Sequence, residues 1–154
     1  MDLSACVIDD RTVKRVIDLD QAVVEVAERR RGWGSAGLAV GPVSWRDEAA
    51  SWPQQLETDR SRVEDPDSIG VRITGLEEAE LCVVLFRGGW ADVDFIASID
   101  DAGVLPAPDV SSPQAFGNLL DRCVSRVFGP SQQPSSTASP SAATSSKPAQ
   151  TSTA

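Results

Sequence analysis

The sequence predicts an α+β domain: a small, mainly antiparallel sheet with two amphipathic helices, followed by a disordered C-terminal tail. Three observations carry this prediction. Apolar residues between Phe116 and Phe128 recur at helical spacing, those between Ile69 and Phe95 fall largely in alternating runs, and residues 130–154 contain no branched aliphatic and no aromatic side chain. A segment of that last kind cannot bury enough apolar area to offset its ordering entropy. The expected organisation is one globular domain over 1–129 and a tail over 130–154.

The C-terminal helix has the clearest limits. Ser112 can cap it, Pro113 suits the first helical position, and Phe116, Leu119, Leu120, Cys123, Val124, Val127 and Phe128 form one apolar stripe. Gly129 supplies the stop and Pro130 stands beyond it. A second helix is expected from Asp18, with Gln21 as its capping-box partner and Leu19, Ala22, Val23, Val26 and Ala27 on its buried side. Arg29, Arg30 and Arg31 would form its last turn, where cations complement the helix dipole.

Between the helices the period becomes two. Ile69, Val71 and Ile73 mark one strand, and residues 79–87 and 90–97 mark two more, joined by Gly88-Gly89 as a two-residue hairpin turn. Shorter strands are expected at Leu3–Ile8, Val13–Ile17 and Leu38–Trp45, the last broken or at an edge because of Pro42. Residues 46–68 read as a polar surface loop.

Composition excludes several functional classes. The 154 residues hold 23 acids against 14 bases, a formal charge of −9, and no His. Phosphate backbones and acidic lipid surfaces repel such a chain, so neither nucleic acid nor membrane is an expected partner. Without His there is no Ser-His-Asp or Cys-His nucleophilic site. The acidic N-terminal stretch lacks a basic signal-peptide region, which implies a cytoplasmic protein. Cys6, Cys82 and Cys123 are widely spaced in apolar surroundings, as suits reduced, packed thiols. No cofactor is implied: Gly32-Trp33-Gly34-Ser35-Ala36-Gly37 matches a dinucleotide-binding spacing, but it leaves a helix instead of opening one.

The candidate site lies on the hairpin, at Arg87, Gly88, Gly89, Trp90, Asp92 and Asp94. With a two-residue turn, Phe86 faces Ala91 and Leu85 faces Asp92. One sheet face then carries Phe86, Val84 and Cys82 with Ala91, Val93 and Phe95 as core, and the other carries Leu85, Val83 and Leu81 beside Trp90, Asp92 and Asp94. Asp92 and Asp94 admit four readings: a metal pair supplemented by Asp100-Asp101, a general acid and base, solvated charges that protect a strand, or recognition of a basic partner. The other acidic clusters, at 57–59, 64–67 and 77–80, add a negative field able to steer such a partner.

An acidic α+β chain with a central hairpin Leu85-Phe86-Arg87-Gly88-Gly89-Trp90-Ala91-Asp92-Val93-Asp94, and a terminal helix ending at Phe128-Gly129, resembles the immunity proteins of bacterial polymorphic toxins. The resemblance is one of architecture over residues 1–129. It implies a non-catalytic inhibitor whose Gly88-Gly89 tip enters the active site of a basic cognate toxin, an NAD glycohydrolase being one candidate. The alternatives are a small enzyme using Asp92 and Asp94, and a chaperone-like adaptor for a secreted protein.

Overall fold

The computed structural model describes residues 15–129. Helix α1 spans Leu19–Ser35, and strands β1 (Ala39–Val40) and β2 (Ser44–Asp47) follow. A short 3-10 turn at Arg60–Arg62 leads to β3 (Pro66–Thr74), β4 (Glu80–Phe86), β5 (Trp90–Ser98), β6 (Asp101–Ala107) and helix α2 (Pro113–Phe128). The strands form one antiparallel sheet in the order β1-β3-β4-β5-β6, with β2 also paired to β3. Both helices pack on the same face, so the fold is the expected α+β two-layer arrangement.

The two helix starts follow their caps. Asp18 accepts from the Gln21 amide at 3.2 Å, and Ser112 accepts from the Ala115 amide at 3.0 Å with Pro113 behind it. Gly129 closes α2 at φ +74°. Burial of Phe116, Leu119, Leu120, Cys123 and Val127 matches the apolar stripe. Across from it lie Ile69, Val71 and Ile73 of β3, Leu81, Val83 and Leu85 of β4, and Ala91, Val93 and Phe95 of β5.

Helix α1 departs from expectation at its C-terminal end. It runs through Gly32 and Gly34 to Ser35, because Trp33 is buried on its inner side and anchors the extra turn. The arginine run therefore sits in mid-helix and serves packing. Arg29 bonds Glu25 and Asp121, tying α1 to α2, while Arg30 donates to the carbonyls of Val40 and Gly41, both at 2.9 Å. Ala27 is exposed and Val23 half-buried, so the inner face is Leu19, Ala22, Val26 and Trp33.

The segment Leu38–Trp45 is indeed broken, with β1 and β2 on either side of Pro42. Residues 46–68 are less of a surface loop than expected. Trp45 pairs with Glu57, Val63 plugs the core, and Asp47 accepts three backbone N–H groups, from Ala49, Glu64 and Asp65 at 2.9–3.0 Å. Residues 15–17 are not a strand but cross the hairpin tip. Strand β6 was not anticipated by any periodicity. The strand expected at Leu3–Ile8, the start of that at Val13–Ile17, Cys6 and the tail 130–154 lie outside the described residues.

Candidate functional site

The β4–β5 hairpin has a three-residue loop, Arg87-Gly88-Gly89, and this changes the geometry of the site. Phe86 is opposite Trp90, Leu85 opposite Ala91, Val84 opposite Asp92 and Cys82 opposite Asp94. The expected two-residue turn is thus corrected by one position, which exchanges the faces of β4 while leaving those of β5 in place. Leu85, Val83 and Leu81 are core; Phe86, Val84 and Cys82 belong to the outer face.

Local chemistry explains the longer loop. The Gly89 amide donates to the Phe86 carbonyl at 3.0 Å, and Gly89 has φ +89°, the arrangement of a β-turn followed by a left-handed residue. Arg87 is drawn inward: Nη1 donates to Asp65 Oδ1 at 2.9 Å, Nε lies 3.9 Å from Asp67, and its backbone N–H donates to the Asp67 carbonyl at 3.0 Å. Its carbonyl accepts from Val16 and Ile17, and the Gly89 carbonyl accepts from Val110 at 2.7 Å.

The six candidate residues therefore divide. Arg87 and Gly89 are buried beneath residues 15–17 and Val110, and the tip does not project. Gly88 lies under the Trp90 indole, which leaves no room for a Cβ there. Trp90, Asp92 and Asp94 stand on the outer sheet face, exposed. Trp90 stacks on Phe86, with ring centroids 5.1 Å apart and planes at 15°.

The rest of the outer face had been missed. Rows across it read Val84, Asp92, Pro106 and Cys82, Asp94, Val104, with Ile96 beside Ala102. Val104 and Ile96 are 69% and 47% exposed, large values for apolar side chains at neighbouring positions of one sheet. A depression of about 440 Å³ opens at one corner, between Trp90, Asp92, Val104, Pro106 and Pro108.

Among the described residues several carboxylates are held by arginines, whereas those on the outer face of β5 are not. Asp65 is shared by Arg15 and Arg87, Glu80 holds Arg72, Asp20 holds Arg60, and Asp101 takes Arg126 through two bonds at 2.8 and 2.9 Å. The guanidinium beside each holds Asp20, Glu80 and Asp101 below the usual carboxylate range. Among the described residues, no cation lies within 4.0 Å of Asp92 or Asp94. Asp101 is committed to Arg126, so it does not complete a metal site with them. No cluster of three or more acids and thiols fit for a metal occurs among the described residues. Cys82, between Arg72 and Asp94, is pushed up to about 11 by burial first and by Glu80 second.

A second depression, of about 390 Å³, flanks the hairpin between residues 15–20 and Arg60, Glu64, Pro66 and Arg87. Its arginines are committed to Asp20 and Asp65.

Together these features describe a two-layer α+β protein with one sheet face covered by helices and the other open, apolar and acidic. No protein-family model, curated protein or solved structure significantly matches the chain. Among the described residues no helix is long and apolar enough to cross a membrane.

Proposed function

We propose that this chain is a non-catalytic protein-binding domain of the immunity type, which inhibits a basic cognate toxin by covering its active site. An NAD glycohydrolase remains the candidate that the architectural resemblance suggests. One observation supports the reading most: Asp92 and Asp94, without a cation within 4.0 Å among the described residues, stand between Trp90, Ile96 and Val104 on an open sheet face. A cluster of exposed apolar side chains marks an interaction surface, and carboxylates beside it add steering toward a basic partner. General acid and base chemistry asks instead for a concave, water-poor site that separates two carboxyl pKa values.

The contact surface in this reading is the outer face, with Trp90 at its corner, and not an inserted hairpin tip. Photo-crosslinking tests it. A photoreactive residue at position 96 should yield an adduct with one basic partner in the native lysate, whereas the same residue at position 24, on the exposed side of α1, should not. Asp92→Lys with Asp94→Lys should then slow association with that partner and flatten its salt dependence. Equal labelling from both positions, or unchanged association, would show that recognition lies elsewhere.

A further inference from the structure

Strand β6 ends the sheet, and among the described residues no backbone group pairs with its outer edge. Which of its groups are free follows from Pro106. Having no N–H, Pro106 belongs at a non-hydrogen-bonded position opposite Asp92, so Val104 opposite Asp94 and Ala102 opposite Ile96 are non-hydrogen-bonded as well. The N–H and C=O groups of Ala102 and Val104, with the Pro106 carbonyl, therefore point away from β5. Their side chains stand on the outer face, in the same rows as Ile96, Asp94 and Asp92.

Exposed edges are usually blunted by charge, by proline or by a covering segment. Here Ala102-Gly103-Val104-Leu105 carries no charge, and Pro106 guards only one end. Resting on the protein-binding reading above, we propose that the β6 edge receives an extended segment of the partner in which basic and apolar residues alternate. The added strand would run antiparallel to β6 and pair with Ala102 and Val104. Its basic side chains would lie on the outer face, their stems over Val104 and their heads toward Asp94 and Asp92, one strand further in. Its apolar side chains would fall on the opposite face, beside Leu105 and a depression of about 310 Å³ between β6 and α2 that includes Leu119. A second copy of the chain fits this edge poorly, since it would bring its own Asp92 and Asp94 and a net charge of −9 against the same face.

The test uses three hexapeptides of identical charge: acetyl-Lys-Val-Lys-Val-Lys-Val-amide, the same peptide N-methylated at every Lys, and the same peptide N-methylated at every Val. Antiparallel addition with Lys outward places the Lys N–H groups toward β6, so Lys methylation should weaken binding at least tenfold and Val methylation should leave it nearly unchanged. Slowed amide exchange at Ala102 and Val104 should accompany binding of the first and third peptides. On the protein side, Val104→Pro removes one free donor that the β5–β6 ladder does not use, and should weaken the parent peptide by a similar factor. If that variant fails to fold, the methylated peptides decide the matter on the unaltered chain. Equal binding of all three peptides, lost only with Asp92→Asn and Asp94→Asn, would overturn strand addition and leave the outer face as a protein-binding surface. Absence of binding at millimolar peptide, loss on Val methylation instead, or a dimer in sedimentation abolished by Val104→Pro would each overturn the inference.

Discussion

Arg87 and Asp65 join the hairpin loop to the start of β3 through a bond of 2.9 Å, and the Arg87 side chain is only 10% exposed. The ends of β3 and β4 are thereby held together from the core side, where Arg87 Nε remains without a partner. Removing the guanidinium leaves Asp65 with the exposed Arg15, and Asp67 with Arg46 at 3.9 Å. Arg87→Ala is expected to cost about 1–3 kcal/mol, read as a lowered urea midpoint at unchanged slope. Arg15→Ala, whose side chain is 67% exposed, should cost no more than about 1 kcal/mol.

Asp47 fastens the 47–65 connection, accepting from Ala49, Glu64 and Asp65. The backbone N–H of Glu64, then that of Asp65, hold its carboxyl below the ordinary value of 3.8. Since the folded value lies below the unfolded one, the stabilisation is fully present above the unfolded value and is lost as pH falls through the folded one. Asp47→Asn should lower the melting temperature at pH 7 and narrow its gap to the wild type as pH falls below about 4. Parallel melting curves of the two proteins from pH 7 to pH 2 would check this; a constant gap would exclude the linkage.

How far the chain could be read depends on whether local signals agreed with tertiary ones. Helix α2 was legible because Ser112, Pro113, the apolar stripe and Gly129 all indicate one element. Helix α1 was legible at Asp18 but not at its end: two glycines imply a stop, and only burial of Trp33 against the rest of the fold overrides them. Strand β6 escaped because Gly103 and Pro106 interrupt the pattern that edge strands tolerate and central strands do not. The site was half legible. Trp90, Asp92 and Asp94 fall on the outer face because β5 was phased correctly, whereas one extra loop residue exchanged the faces of β4 and buried Arg87. That residue is held out of the ladder by Asp65, Asp67, Val16 and Ile17, none of which is local to the hairpin.

Leu120 is fully buried on α2, between the sheet and α1. Leu120→Ala should destabilise the fold by about 2–5 kcal/mol, measurable as a shift in denaturant midpoint. A shift equivalent to less than about 0.5 kcal/mol, the scale of surface substitutions, would contradict the packing.

Cys82 faces the open side of the sheet, yet its thiol is held at about 11, so about one in a thousand is ionised at pH 8. In a Cys6→Ser background, alkylation at pH 8 should be far slower than for a free thiol, and Cys123, buried and raised by desolvation, should react more slowly still. Glu80→Gln removes the acid that accepts from Cys82 and repels its thiolate. Because burial is the larger cause, the variant should speed alkylation of Cys82 only in part and leave Cys123 unchanged. Mass spectrometry of the time course separates the two sites.

Gly88 connects the loop to the outer face, because an added Cβ would collide with the Trp90 ring. The indole cannot yield while remaining stacked on Phe86, so Gly88→Ala should unstack the pair. The expected cost is about 0.5–1.5 kcal/mol for the aromatic contact. Gly89→Ala acts differently: at φ +89° it meets backbone strain, and its Cβ would approach Val16 to 3.0 Å, so the loss arises in the turn and need not move Trp90. Fluorine NMR of protein labelled with 5-fluorotryptophan resolves the two cases, with Trp33, Trp45 and Trp52 as internal references. Gly88→Ala should shift and broaden the Trp90 resonance alone, and should weaken any partner held by the outer face. Gly89→Ala should lower stability with the Trp90 resonance nearly in place. If Gly88→Ala leaves that resonance unmoved, the indole does not lie over Gly88, and the corner of the face beside Asp92 has a different shape.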